Sequence, residues 1–246
     1  MPKQLRKIRR SPKQNPRKMS KRIIAIGGGE IKNRETLEID RYIAQEAKIA
    51  AGDRRACGLF IPTASHDCMP YYNTFHKVYT GIFGLKTDVA LTVNREIDLE
   101  KLKAKFEKAD FIYVGGGNTV FMLEHWRQTG LLSLIEAAYE RGVLIAGLSA
   151  GAICWFEDMY SDSVVEGDYS MYKGLGWIKG KISPHYNERM LDFDEIVLYN
   201  RDCAWGVEND AALEIIDGVP VRSIAGGGKV YYLDATDGTQ VKKTIF

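Results

Sequence analysis

Five short apolar runs punctuate the first 150 residues, and between them apolar side chains recur at helical spacing. The runs cover residues 22–26, 56–61, 89–93, 111–114 and 143–146, and four of them stop at loops rich in glycine or proline. Ile39, Tyr42, Ile43, Ala47 and Ala50 make one helical face, Tyr72, Phe75, Val78, Tyr79 and Ile82 a second, and Leu99, Leu102 and Phe106 a third; residues 124–141 are helical in character. Such alternation predicts an α/β fold with a mainly parallel central sheet and helices on both faces, because strands buried on both sides read as continuous apolar runs. Loops at the strand C-termini then carry function. Beyond Ser163 the pattern becomes strand-rich, with Asp217-Gly218 and Asp237-Gly238 as turns, residues 226–228 as a hairpin loop and 230–233 as a late strand.

Charge divides the chain. Residues 1–21 hold nine of its 34 Lys and Arg and no acid, which leaves 25 bases against 32 acids in the remainder. With Pro2, Pro12 and Pro16 and little apolar periodicity, this segment is predicted to be a disordered basic tail ahead of a single α/β domain over 22–246. A non-catalytic protein binding nucleic acid through that tail is the alternative of a different class, and nucleic acid is not the expected partner. No apolar run approaches the roughly 18 residues that span a bilayer, and the N-terminus lacks a secretory apolar segment, so the expectation is a cytoplasmic protein with no membrane partner. Cys57, Cys68, Cys154 and Cys203 form no CxxC pair, which points to free thiols and to no metal site.

The chemistry concentrates in Gly147-Leu148-Ser149-Ala150-Gly151. An apolar strand precedes this GxSxG pentapeptide and a helix start follows it, the context in which a sharp turn lifts a serine hydroxyl above the sheet as a nucleophile. Serine needs a base. Of the four histidines, His76 and His125 lie in helical patterns and His66 in the loop after the second strand, whereas His185 stands at the end of a short strand-like stretch. Gly115-Gly116-Gly117-Asn118-Thr119 sits between a strand and a helix, where the Gly117 amide can join the Ala150 amide in an oxyanion hole.

Five segments, IIAIGGGE at 23–30, FIPTAS at 60–65, YVGGGNT at 113–119, AGLSAGA at 146–152 and SPHYNE at 183–188, occur in this order. Over about residues 22–235 the chain thereby resembles the peptidase E and cyanophycinase family of serine peptidases, whose fold is similar to class I glutamine amidotransferases (flavodoxin-like). The resemblance implies Ser149 as nucleophile, His185 as general base, Gly117 and Ala150 as oxyanion donors, no cofactor, and hydrolysis of short peptides, with aspartyl dipeptides the best-known substrates. It also implies an acid between serine and histidine. Asp162 falls nearest that place, with Glu157, Asp158, Glu166 and Glu188 as alternatives. A peptidase for acidic N-terminal residues needs a cation at the cleft, for which Arg189 is the candidate, and Asn118 and Thr119 are candidates to face the substrate. Cyanophycinase-like cleavage of β-aspartyl-arginine peptides is the alternative activity. The expected partner is a small peptide, and a homodimer is compatible with this reading.

Overall fold

The computed structural model describes residues 20–246, so the expectation for the basic tail falls, except at Ser20 and Lys21, outside the described residues. The first half alternates as β1 (Arg22–Ile26), α1 (Leu37–Ala51), β2 (Cys57–Ile61), α2 (Met69–Gly81), β3 (Lys86–Val89), α3 (Leu99–Lys108), β4 (Phe111–Val114), α4 (Thr119–Thr129), α5 (Leu131–Glu140), β5 (Leu144–Leu148) and α6 (Ala150–Ile153). The second half runs β6 (Phe156–Val165), β7 (Asp168–Lys173), β8 (Ile178–Ser183), α7 (Tyr186–Asn200), β9 (Cys203–Val207), β10 (Ala211–Ile216), β11 (Val219–Ala225), β12 (Val230–Asp234) and β13 (Lys242–Ile245).

One seven-stranded sheet has the order β11-β10-β1-β5-β4-β2-β3. Its five strands from the first half pair in parallel, and β10 and β11 add antiparallel at one edge. In β1, β2, β4 and β5 alternate side chains enter cores on opposite sides of the sheet, so these four strands carry no polar face, whereas edge strand β3 keeps Lys86, Thr87 and Asp88. Ile23 and Ala25 enter the core shared with α3, α4 and α5, while Ile24 and Ile26 enter the core shared with α1 and α2. Each fully buried aliphatic side chain of this kind contributes about 1.5–3 kcal/mol. The α/β class and the parallel centre agree with the sequence reading. The strand-rich part builds a second, six-stranded sheet, β13-β12-β9-β8-β6-β7, whose Phe156, Met159, Ile178, Ile182 and Val207 join the first of these cores.

Two local expectations are corrected, and a third is made more specific. The run at 89–93 leaves the sheet after Val89, because the amides of Thr92 and Val93 donate to the Asp67 carboxylate at 2.6 and 2.8 Å instead of to a strand. The helical stretch at 124–141 belongs to two helices separated at Gly130, whose φ of 74° ends α4. Residues 226–228 are no hairpin loop: they carry the chain from β11 in one sheet to β12 in the other, and all three amides donate to the Asp210 carbonyl.

Candidate active site

The C-terminal end of β1 is the template on which the candidate residues assemble. Ser149 N–H donates to the Ile26 carbonyl at 2.9 Å, His185 N–H to the Gly27 carbonyl at 3.0 Å, and Asp210 N–H to the Gly28 carbonyl at 3.1 Å. Gly28 also bridges Asn209 in parallel fashion. A Cβ on Gly28 would collide with Asn209 Oδ1 and His185 Nδ1, so only glycine lets these side chains meet over this backbone. Ser149 caps α6 at φ 52° and ψ −107°, a conformation that costs a non-glycine residue about 1–3 kcal/mol. Its glycine neighbours permit the turn by close approach: a Cβ on Gly147 would strike the Gly151 carbonyl, and one on Gly151 the Val114 carbonyl.

His185 Nε2 lies 2.9 Å from Ser149 Oγ, and its Nδ1 lies 2.6 Å from Asn209 Oδ1. Asn209 Nδ2 donates to Glu188 Oε1 at 2.5 Å, which leaves Oδ1 as the end of the amide that faces the histidine. An acceptor at Nδ1 places the imidazole proton there. Nε2 is then the free lone pair that takes the serine proton. Burial, and next the Arg189 charge, hold the His185 pKa below its ordinary value, against the opposing pull of Asn209, Glu188 and Asp162. The imidazole is therefore neutral and basic near neutral pH.

Asp162 does not take the orienting place. It sits on β6, and its carboxylate accepts the Gly167 amide at 3.3 Å across the β6–β7 turn. Asp162 lies in the irregular stretch between Ser161 and Val165, which pair with β7 on either side of it, and Asn209 occupies His185 Nδ1 instead. Glu157 accepts the Gly180 amide and Asp158 pairs with Lys173, so neither is available to the histidine. Glu188 reaches the chain one step removed, through Asn209. Sequence reasoning missed Asn209 because it sought a carboxylate between serine and histidine. The available signal was position, since Asn209 follows the strand-like run 203–207 as Ser149 follows 144–148.

The other histidines are engaged elsewhere: His76 Nδ1 with Thr87 Oγ1 at 2.6 Å, His125 Nε2 with Thr92, and exposed His66 against the ring of Phe121. In the glycine loop, Gly115 N–H donates to Ile61, Gly116 N–H to Tyr71 Oη and Asn118 N–H to Ala64. Among the described residues the Gly117 amide has no such acceptor. Asn118 caps α4 by accepting from Phe121 N–H at 2.8 Å, and it donates to the Ser163 carbonyl at 2.6 Å. The Thr119 amide donates to Ser163 Oγ, and Thr119 is 1% exposed. Both residues thus tie α4 to β6. Arg189 lies with its guanidinium 4.4 Å from the centre of the Tyr169 ring and forms no ion pair among the described residues. Among these residues no group of three or more His, Cys, Asp or Glu is placed to hold a metal ion, and no helix is long and apolar enough to cross a membrane.

The profile of peptidase family S51 matches residues 23–220, a span that contains Ser149, His185 and Asn209. The chain belongs to peptidase family S51. The chain is similar to an uncharacterized peptidase, YgaJ, of Bacillus subtilis, 33% identical over 218 residues that make up 86% of this chain and 91% of that one. Peptidase E of Citrobacter koseri is 36% identical over 89 residues, 35% of this chain and 38% of its own. A crystal structure of a peptidase from an acI-B1 Actinobacterium superposes with a TM-score of 0.61 at 19% identity, covering 92% of this chain and 95% of that one. A putative peptidase E from Listeria monocytogenes superposes with a TM-score of 0.60 at 22% identity over 84% of this chain and 98% of its own. These two likenesses show that the S51 chain shares their fold.

Proposed function

We propose that this S51 peptidase is a serine peptidase of short peptides, with aspartyl dipeptides as its leading substrate class. The reading rests chiefly on the line Ser149 Oγ, His185 Nε2, His185 Nδ1, Asn209 Oδ1, at 2.9 and 2.6 Å. Nε2 takes the Ser149 proton as Oγ attacks the peptide carbonyl carbon. The resulting oxyanion is received by the Gly117 and Ala150 amides, the latter at the first turn of α6, where helix amides have no internal acceptor. Protonated His185 then gives its proton to the leaving amine, and a water activated by the same nitrogen hydrolyses the acyl-enzyme. Asn209 performs the orienting task with an amide, as in the Cys-His-Asn constellation of other peptidases. Arg189, close enough to depress the His185 pKa, supports a preference for a substrate carboxylate.

The test is labelling by a fluorophosphonate together with a dipeptide panel that includes α-aspartyl dipeptides and β-aspartyl-arginine. Stoichiometric labelling and cleavage, both lost in Ser149→Ala, are expected. Wild-type protein that neither labels nor cleaves any member overturns the reading, and preference for β-aspartyl-arginine moves it to the cyanophycinase-like alternative.

A further inference from the structure

An open cavity of about 650 Å³ lies between the β6–β7 hairpin and α7, apart from Ser149, His185 and Asn209. Three tyrosines, Tyr160, Tyr169 and Tyr199, and three carboxylates, Asp168, Asp192 and Glu195, line it. None of the three acids has an ion-pair partner among the described residues, although elsewhere on the surface acids are matched, as Asp158 is by Lys173 and Lys181 and Asp194 by Lys243. Arg189 lies with its guanidinium 4.4 Å from the ring centre of Tyr169, one of the lining residues, and forms no ion pair with these acids.

A second observation separates this cavity from a merely solvated acidic surface. Tyr160 is 2% exposed, packed at 5.5 Å from Tyr169 and 5.1 Å from Phe193, yet its hydroxyl has no hydrogen-bond partner among the described residues. The enclosed Tyr160 ring presents its hydroxyl to the cavity, where the oxygen remains accessible. Ring faces, a phenol oxygen and uncompensated carboxylates around one space form the environment that attracts an organic cation, through the ring quadrupoles and through charge.

We propose that this cavity is a binding site for a small organic cation bearing a guanidinium or alkylammonium group. The carboxylates of Asp192 and Glu195, one turn apart on α7, receive the charge, the tyrosine rings cover its apolar stem, and the Tyr160 oxygen accepts a hydrogen bond from it. The site stands independently of the proposed hydrolysis, because its recognition needs neither Ser149 nor His185.

Calorimetric titration of the full chain with agmatine, beside pentanoate as a ligand of similar length without a cation, tests the proposal. Saturable binding of one agmatine that weakens with salt, and none of pentanoate, is expected. The double variant Asp192→Asn, Glu195→Gln alters only exposed side chains, and it is expected to weaken agmatine at least about tenfold. An absence of saturable binding up to about 10 mM, or equal affinity in the double variant with its circular dichroism unchanged, overturns the proposal. Neither result depends on peptide cleavage, so the failure of one reading leaves the other standing.

Discussion

His185 and Asn209, 24 residues apart in the chain, share a hydrogen bond of 2.6 Å between Nδ1 and Oδ1. The direction of that bond follows from the next one, in which Asn209 Nδ2 donates to Glu188. An uncharged amide thereby orients the imidazole, with the carboxylate held one residue further back. Removing the amide oxygen frees the ring to rotate and to exchange tautomers. Asn209→Ala is expected to lower kcat by about 10³-fold, and Glu188→Gln by much less, since a glutamine oxygen still accepts from Asn209. Steady-state kinetics on a cleaved dipeptide give the comparison, and equal losses in the two variants contradict the assigned order.

With His185 as the proposed base, its depressed pKa is expected to set the acid limb of activity. Hydrolysis needs neutral imidazole, so kcat/KM rises with pH through a value below the ordinary imidazole range and then levels. Burial is the main cause and Arg189 the next. Arg189→Gln is expected to move the limb upward while leaving its shape unchanged. A pH profile of the variant that coincides with the wild type shows that the guanidinium does not act on His185.

Tyr71 holds the glycine loop that carries the proposed oxyanion donor Gly117. Its hydroxyl accepts the Gly116 amide at 3.3 Å, and burial pushes its pKa well above the ordinary phenol value, so it stays protonated. Tyr71→Phe leaves that amide without a partner and loosens the peptide that precedes Gly117. The expected result is a fall of about tenfold in kcat with KM little changed. A change confined to KM assigns Tyr71 to substrate binding instead.

Asp40 makes stability depend on pH. It is 1% exposed, accepts hydrogen bonds from Thr36 and Tyr79 at 2.8 Å each, and has no ion-pair partner among the described residues. Burial raises its pKa to about 6. The folded state therefore binds this proton more tightly than the unfolded chain. Between about pH 6 and pH 4 the contribution of Asp40 rises as pH falls, levelling below the unfolded value, with a total on the order of 3 kcal/mol. Asp40→Asn is expected to flatten that part of the curve in urea titrations taken at half-unit steps of pH.

Gly28 tests the template itself. Gly28→Ala drives a methyl group into His185 Nδ1 and Asn209 Oδ1 while the apolar residues of β1 keep their packing. Activity and fluorophosphonate labelling are expected to collapse together, with the unfolding free energy lowered only by about 1–3 kcal/mol. A fully active alanine variant is incompatible with the described geometry.

Local information carried some features and not others. The strand–glycine–helix context of Ser149 and the strand-end position of His185 are visible in contiguous residues, because backbone turns and strand burial are local in origin. Asp162 illustrates the opposite case. Its distance in sequence from both partners matched expectation, but it lies in the irregular stretch between Ser161 and Val165, which pair with β7 on either side of it. Likewise the apolar run at 89–93 has the composition of a strand, yet a single buried carboxylate, Asp67, takes its amides away from the sheet.

By itself the amino-acid sequence determined the α/β class, the parallel centre of the sheet, the serine turn and the histidine most able to reach it. These follow from periodicity, glycine placement and family motifs, all of which are written in short stretches of chain. Only the tertiary structure decided which side chain orients that histidine. The choice depends on β10 joining β1 antiparallel, which brings Asn209 alongside Gly28 and within reach of both His185 and Glu188. Register between strands nearly two hundred residues apart is set by the packing of the whole sheet, and no local pattern encodes it.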